Sequence, residues 1–402
     1  MKNFKKNTMI KFDDAFETMM SSARRLGTER VDIERALNRV LAETIVSDID
    51  VPPFNKSVMD GFACRRADLG NELTVIETIP AGLMPKKSIG RNQCAKIMTG
   101  AVVPEGADCV IMVEYTTSVG ENRIRFTGSR TEDNICPRGK DIKKGDVVLR
   151  AGCRLAPRHI AVLASHGCVK PLVSLQPRVG IIATGDELVE PSRKPTRLQP
   201  GQIRNSNGFQ LAAQVTTTGS IATNYGIAVD TEEDIEAKLT KAMAENDVVI
   251  VSGGVSVGDY DLVRGILEKN GIKLLFEKVA VKPGKPTVFG VSDEVFCFGL
   301  PGNPVSTFVT FELFVKPFLF KMMGHDFKAV IAYRQLEMTI RMEKTERDSW
   351  LPVIFTNDNK IASIEYHGSA HINALSEADG LICIPAGAAE IREGTTVAVR
   401  QI

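Results

Sequence analysis

Apolar residues recur with a helical period near the start of the chain. Phe12, Ala15, Phe16, Met19, Met20 and Ala23 share one face, which predicts an amphipathic helix over 12–27 closed by Gly27. A second helix is expected over 33–41, and the pair reads as packing material without chemistry of its own. From 45 to 150 the pattern changes to short β-like runs at 73–79, 109–113, 123–126 and 146–149. Gly, Pro and Asn turns separate them, the pattern of a small all-β domain. Residues 157–167 then read as a short helix ending at Gly167, which makes the β domain an insertion into a discontinuous helical segment.

From 178 to 322 strands and helices alternate. Strands are expected at 179–183, 221–229, 248–251 and 295–299, and helices at 207–218, 232–245, 262–269 and after Pro304. Asn205 or Ser206 caps the first of these helices, and Thr231 with Asp234 resembles a capping box for the second. Such alternation predicts a parallel sheet with helices on both faces. The last stretch, 326–402, returns to short runs at 332–342, 350–355, 361–365 and 397–400, a small terminal β domain. The expected fold class is therefore α/β plus β. Residues 1–45 with 146–177 form a helical linking domain, 46–145 the inserted β domain, 178–325 the α/β domain and 326–402 the C-terminal β domain.

Composition narrows the function. The chain has 402 residues, 43% apolar and 25% charged, which is ordinary for a globular protein of more than one domain. A net charge of +1 argues against nucleic-acid binding by bulk electrostatics. Eight cysteines without a Cys-x-x-Cys pair are neither a zinc pattern nor a disulfide framework, so buried thiols in a reducing cytoplasm are expected. The N-terminus has no long apolar run of a signal peptide. The longest apolar stretch, 305–323, is interrupted by Glu312, Lys316 and Pro317, and no membrane association is expected.

Candidate chemistry gathers around residues 252–261, Ser-Gly-Gly-Val-Ser-Val-Gly-Asp-Tyr-Asp, placed between a β-branched run and a helical pattern. Gly253, Gly254 and Gly258 permit a tight turn and close approach of a ligand, and a helix N-terminus suits phosphate. Asp259 and Asp261 in the same loop make sense beside phosphate if a divalent cation lies between. Neither the dinucleotide fingerprint nor the P-loop is present, and Gly284-Lys285 is followed by Pro286. Ligands of parallel sheets bind at the carboxyl ends of strands, and three such ends carry unusual loops: 184–187, 252–261 and 300–304. Asp230 ends a fourth, and Lys282 and Lys285 sit in a loop stiffened by Pro283 and Pro286. Taken singly, these residues also serve as caps, turns or solvated charges. Taken jointly they predict a cleft for an anionic, phosphate-bearing substrate with Mg²⁺ relieving the repulsion among carboxylates. No general-base histidine stands out: His159 and His166 sit on a packing helix, and His367 and His371 flank Gly368-Ser369-Ala370.

Seven segments in order resemble the molybdopterin molybdenumtransferases, the MoeA family, which includes the E domain of gephyrin. They are Pro-Pro-Phe-Asn-Lys-Ser-Val-Met-Asp-Gly-Phe-Ala (52–63), Ile-Met-Thr-Gly-Ala (97–101), Arg-Gly-Lys-Asp-Ile (138–142) and Thr-Gly-Asp-Glu-Leu (184–188). Ser-Gly-Gly-Val-Ser-Val-Gly (252–258), Lys-Pro-Gly-Lys-Pro (282–286) and Leu-Pro-Gly-Asn-Pro-Val-Ser (300–306) complete the set. The resemblance spans essentially the whole chain and implies an elongated homodimer of four-domain subunits. It implies insertion of molybdate into adenylylated molybdopterin, with Mg²⁺ present and AMP released, in a cleft between the α/β domain of one subunit and the C-terminal domain of the other. Transient contact with molybdopterin adenylyltransferase is a further expectation.

Position by position, the resemblance marks Asp60, Thr99 and Asp141 in the inserted domain, the acids Glu187, Asp230 and Asp261, and the basic loop of Lys282 and Lys285. Substrate binding is expected from Thr184, Gly185, Ser252, Gly253, Gly254, Ser256, Gly258, Pro301, Gly302, Asn303, Pro304 and Ser369. Asp186, Glu187, Asp259 and Asp261 are the expected Mg²⁺ ligands. Asn55 stands where many members carry Asp, and Lys56 where many carry Asn. Pro352, two residues after Trp350, falls where members often carry an arginine, so another cation is expected to hold the oxyanion. Two rival readings are a protein-clustering scaffold and an adenylyltransferase that makes the adenylylated pterin. The absence of a long linker disfavours the first, and the extra β domains disfavour the second.

Overall fold

The computed structural model describes residues 8–191, 197–254, 262–343 and 345–402. The chain divides into two compact units, one of residues 1–42, 152–156 and 172–402, the other of 43–151 and 157–171.

In the second unit a six-stranded sheet has the order Cys109–Met112, Gly61–Cys64, Gln93–Ile97, Glu72–Ile79, Arg123–Phe126, Thr116–Gly120. Alternation along each strand gives the sheet two apolar faces. Phe62, Cys64, Leu73, Cys94 and Ile111 pack on one, and Ala63, Ala95, Ile97 and Val110 on the other. The eight cysteines are free thiols, five of them buried (Cys64, Cys94, Cys109, Cys136 and Cys297). The short helix Pro157–Ser165 ends before Gly167, which adopts φ +68°.

The first unit begins with the helix Phe12–Ser22, whose Ala15 and Met19 are fully buried. It stops short of the expected 27 because Ala23 turns extended and Thr28–Arg30 pairs antiparallel with Leu172–Ser174. Gly27 is no cap; its carbonyl accepts from Leu175 N at 2.8 Å. The helix expected over 33–41 shrinks to a 3-10 turn, Ile33–Arg35. Asn38 takes φ +64°, and Val40 and Leu41 bridge to Arg154 and Val173, so backbone pairing wins over helix propensity.

The central sheet contains β1 (Arg178–Thr184), β2 (Ile221–Ala228), β3 (Val248–Ser252), β4 (Lys273–Phe276), β5 (Val288–Val291) and β6 (Phe296–Leu300). Helices α1 (Asn207–Thr217), α2 (Glu232–Glu245), α3 (Leu262–Lys269) and α4 (Pro304–Thr310) connect or follow the strands. A π turn, Phe311–Val315, continues α4 into α5 (Lys316–Met322). Strand order is β2-β1-β3-β6-β5-β4. The first four are parallel as expected, but β5 runs antiparallel to β6 and β4 antiparallel to β5. The sheet is therefore mixed, because a tight turn, Ser292 N to Val295 O at 3.0 Å, folds β5 directly onto β6. Both faces are covered. Val248 and Ile250 of β3 pack with Leu211 and Val215 of α1 and Val305 and Val309 of α4. Val249 and Val251 pack on the opposite side with Ile235 and Leu239 of α2 and Ile266 of α3. No helix among the described residues is long and apolar enough to cross a membrane.

The C-terminal strands Asp348–Phe355, Lys360–Ser363, Ile331–Leu336, Thr396–Gln401 and Gly380–Ile384 pair in that order. The last also pairs with the first, closing the five into a ring around Leu336, Val353, Ile361, Ile382 and Val399. The run expected over 332–342 breaks into Ile331–Leu336 and Ile340–Arg341. A short strand, Val281–Lys282, adds in parallel to Asp348 and Ser349 and brings the basic loop against this ring.

Candidate active site at the strand ends

β1 is flanked by β2 on one side and β3 on the other, so the chain direction of the crossovers reverses between β1 and β3. A crevice opens at the carboxyl ends of strands at such a point. Here it holds a cleft of about 600 Å³. Its walls come from the loop after β1 (Thr184, Gly185, Glu187), the end of β3 (Ser252, Gly253, Gly254) and the loop after β6 (Pro301, Gly302, Asn303, Pro304). Asp230 after β2, the segment 203–206 with its Arg204, and Asn207 at the start of α1 complete it.

The glycine turn is shaped by steric need. Gly253 and Gly254 take φ of +99° and +63°. A Cβ on Gly253 would lie 2.5 Å from the Thr184 carbonyl oxygen and 2.8 Å from Thr184 Oγ1. Gly253 N donates to Leu300 O at 3.1 Å, which ties the turn to the end of β6. Asn303 ends the last loop as the residue before α4, and its carbonyl accepts from Thr307 N at 3.0 Å.

Acidic residues crowd one side. The Asp230 backbone N–H donates to Asp186 Oδ1 at 3.0 Å. Burial pushes the Asp230 carboxyl above its ordinary range, and the negative charges of Asp186 and Glu187 add to the shift. No group of three or more carboxylate, thiol or imidazole ligands forms a closed metal cage among the described residues. Asp186, Glu187 and Asp230 are the described carboxylates gathered at this end of the sheet.

A second pocket of about 380 Å³ shares Pro286, Pro301 and Asn303 with the cleft. Lys282, Lys285, Arg347, Ser349 and Ser369 line it. Asn303 Nδ2 donates to Ser369 Oγ at 2.9 Å, and Val305 N donates to Ser369 O at 3.0 Å, so the Ser369 loop is fastened to the start of α4. Ser256, Gly258, Asp259 and Asp261 lie outside the described residues.

The three segments marked in the inserted β domain belong to the other unit and meet there in one loop cluster. Asp60 Oδ1 accepts from Thr99 N at 2.6 Å and from Thr99 Oγ1 at 3.0 Å, which holds its carboxyl below the usual range. Asp141 is exposed, and its N–H donates to Val51 O at 3.0 Å. Gly100 N bonds Ser57 O at 2.8 Å, and Gly139 N bonds Pro52 O at 2.9 Å, so all three segments are stitched together by backbone.

Known proteins resemble the chain along its length. Family models match the MoeA N-terminal region (domain I and II) over residues 10–167, a probable molybdopterin binding domain over 180–321, and the MoeA C-terminal region (domain IV) over 335–402. The molybdopterin molybdenumtransferase of Staphylococcus epidermidis is 36% identical over 418 residues, covering 98% of this chain and 96% of its own. The Bacillus subtilis protein of that name is 36% identical over 408 residues, with coverage of 98% and 94%. The crystal structure of the molybdopterin biosynthesis moeA protein from Pyrococcus horikoshii OT3 superposes with a TM-score of 0.84 at 31% identity, covering 98% and 100% of the two chains.

The chain belongs to the MoeA family of molybdopterin molybdenumtransferases. It is a transferase of molybdenum cofactor biosynthesis.

Two residues went unmarked in the sequence, Arg347 in the basic pocket and Asn207 in the cleft. Arg347 lines the basic pocket beside the two lysines, whereas Pro352 is not among its lining residues. Arg347 reaches the pocket only because Val281–Lys282 pairs with Asp348–Ser349, a long-range contact that spacing does not reveal. Asn207 is the second. Asn205 acts as the cap, accepting from Gly208 N at 3.0 Å. Asn207 instead donates to Ser252 Oγ at 2.9 Å and to Gly302 O at 2.7 Å, joining three cleft loops. The local signal was present, an Asn-Ser-Asn run at a helix start, but it reads equally well as capping alone.

Proposed function

We propose that this MoeA-family protein inserts molybdate into adenylylated molybdopterin, with Mg²⁺ present, and releases AMP. One observation carries the reading: an acidic cleft and a basic pocket share a wall of Pro286, Pro301 and Asn303. A phosphoanhydride with its cation fits the first, and a tetrahedral oxyanion fits the second. Bound Mg²⁺ would neutralise charge on the phosphates as an oxygen of water bonds to phosphorus and the anhydride P–O bond breaks, leaving AMP and the pterin phosphate. Asp186 and Glu187, with Asp230 beside them, would hold it through oxygen or water. The Gly253–Gly254 turn lets backbone approach the phosphates without Cβ interference. Lys282, Lys285 and Arg347 attract molybdate and hold it where the dithiolene sulfurs displace its oxygens, and Ser369 gives a hydroxyl donor.

The same reading takes the protein as a cytoplasmic homodimer of four-domain subunits, with Asp60, Thr99 and Asp141 acting from the inserted domain. It also takes the adenylyltransferase that makes the substrate as a transient partner. The test is release of AMP from adenylylated molybdopterin, with Mg²⁺ and with or without molybdate. Molybdate-dependent release is expected. Glu187→Gln is expected to lower it by at least about tenfold with little loss of pterin binding. Unchanged turnover removes Glu187 from the mechanism, and AMP transfer from ATP in place of AMP release overturns the reading.

A further inference from the structure

Two oxygen atoms at residues lining the acidic cleft lack any hydrogen-bond partner among the described residues although they are buried: Thr184 Oγ1 and Asn207 Oδ1. Their residues are only 4% and 9% exposed. A buried polar atom left unpaired is costly, so proteins keep one where it serves a purpose. The orientation of Asn207 is fixed. Its Nδ2 is committed to Ser252 Oγ and Gly302 O, so the other end of the amide, an acceptor only, has no freedom to swap. Thr184 Oγ1 lies against the glycine turn, where a Cβ on either Gly253 or Gly254 would come within 2.9 Å of it.

We infer that Asn207 is a substrate-specificity residue: its Oδ1, with Thr184 Oγ1, reads a hydrogen-bond donor of the ligand. The anionic part of the substrate cannot satisfy Oδ1, because phosphate oxygens accept. An N–H or O–H carried by the same molecule can satisfy it, and the titrations are made without Mg²⁺ so that a metal–oxygen contact cannot take its place. Two sources have that chemistry, the amino-pyrimidinone edge of a pterin and a ribose hydroxyl of a nucleotide. The inference rests on the proposed function for the identity of the ligand, but it concerns binding and not turnover.

The experiment is calorimetric titration of the full-length protein with two ligand pairs. One pair is AMP and 2′,3′-dideoxyadenosine monophosphate. The other is 6-hydroxymethylpterin monophosphate and its 3-methyl derivative. Each pair is titrated into the wild type, Thr184→Val and Asn207→Leu. In the wild type, loss of the donor that is read weakens binding by about 10- to 100-fold, the equivalent of one unsatisfied buried group. Thr184→Val weakens the intact ligand by about tenfold, and both variants discriminate within the pair by no more than about twofold. The pair that shows this coupling identifies the source. Because Thr184 Oγ1 has no protein partner among the described residues, Thr184→Val leaves the melting temperature unchanged or raised. Asn207→Leu lowers it through the two lost Nδ2 bonds, and if that variant fails to fold, Thr184→Val carries the test alone. Equal discrimination in wild type and Thr184→Val for both pairs overturns the inference, as does a clear fall in the melting temperature of Thr184→Val. Coupled binding by a protein that releases no AMP upholds the inference and overturns the proposed reaction instead.

Discussion

Replacing Gly253 by alanine tests whether the turn at the end of β3 is dictated by space or only by chain flexibility. Two effects act together there. The backbone sits at φ +99°, where an L residue is strained by about 1–2 kcal/mol. The new methyl would also meet the Thr184 carbonyl oxygen at 2.5 Å. That neighbour is backbone of β1, buried between β2 and β3, and cannot rotate away. Overpacking of this kind costs about 1–3 kcal/mol more, so Gly253→Ala is expected to destabilise the unit by about 2–5 kcal/mol. Gly271 gives the control. It has φ +80° with nothing within 4 Å of its would-be Cβ, so Gly271→Ala carries strain alone, about 1–2 kcal/mol. Urea unfolding read by fluorescence of Trp350, the single tryptophan, follows the unit that contains both sites. Two variants equal in midpoint would refute the argument, since they would show that the clash with Thr184 is relieved at no cost.

Two further outcomes follow from the charges. The Asp230 carboxyl is raised by burial first and by Asp186 and Glu187 next, so its contribution to stability is present below its unfolded pKa and lost as pH rises through the folded value. Asp230→Asn should therefore raise the melting temperature at neutral pH without added cation, with the gain vanishing below about pH 4, and should blunt stabilisation by Mg²⁺. A variant that melts below wild type at neutral pH counts against carboxylate crowding. In the other unit, Asp60 is held low by the Thr99 amide and hydroxyl, so its contribution is present above the unfolded pKa and fades as pH falls through the folded one. Thr99→Val keeps the amide and removes the hydroxyl, and NMR titration of the Asp60 carboxyl should show its pKa move upward; an unmoved value would leave the hydroxyl without a role.

Elements bounded by local chemistry were legible in the chain, and those decided at a distance were not. Helix α2 runs from Glu232 to Glu245 as expected because Thr231 caps it locally, accepting from Asp234 N at 3.3 Å. Helix α3 likewise keeps its expected C-terminal end at Lys269. The expected helix at 33–41 fails because Val40 and Leu41 are claimed by Arg154 and Val173, more than a hundred residues away in sequence. The antiparallel half of the central sheet escaped notice for a related reason. β-branched and aromatic runs announce burial, but not the direction in which a strand is laid against its neighbour. In the cleft, the loops at 184–187, 252–261 and 300–304 stood out because Gly, Pro and Asp interrupt apolar runs at strand ends. Asn207 and Arg347 did not, because each acquires its meaning from a partner brought by the fold: Gly302 for the first, and the paired Val281–Lys282 strand for the second.

On the proposed reading, the arrangement of charge explains why the site uses both halves of this unit. Among the described residues, no ion pair joins Lys282, Lys285 or Arg347 to Glu187 or Asp230, although their pockets share three wall residues. Were the two groups free to collapse together, they would neutralise one another and bind neither a cation nor an anion well. The dividing wall prevents that. Pro286 and Pro301 offer no N–H and little freedom, and Asn303 is held by Ser369 on one side and by the first turn of α4 on the other. The acids are set by the central sheet, while Lys282 and Arg347 are set by the pairing of Val281–Lys282 with the C-terminal ring. On the proposed reading, the charges that complete each pocket arrive with the ligands: a divalent cation and phosphates on one side, a tetrahedral dianion on the other. The reaction then brings the pterin and the oxyanion together across Asn303. Binding of each substrate separately, without cancellation by the other pocket, is the property that a single mixed cluster of acids and lysines could not provide.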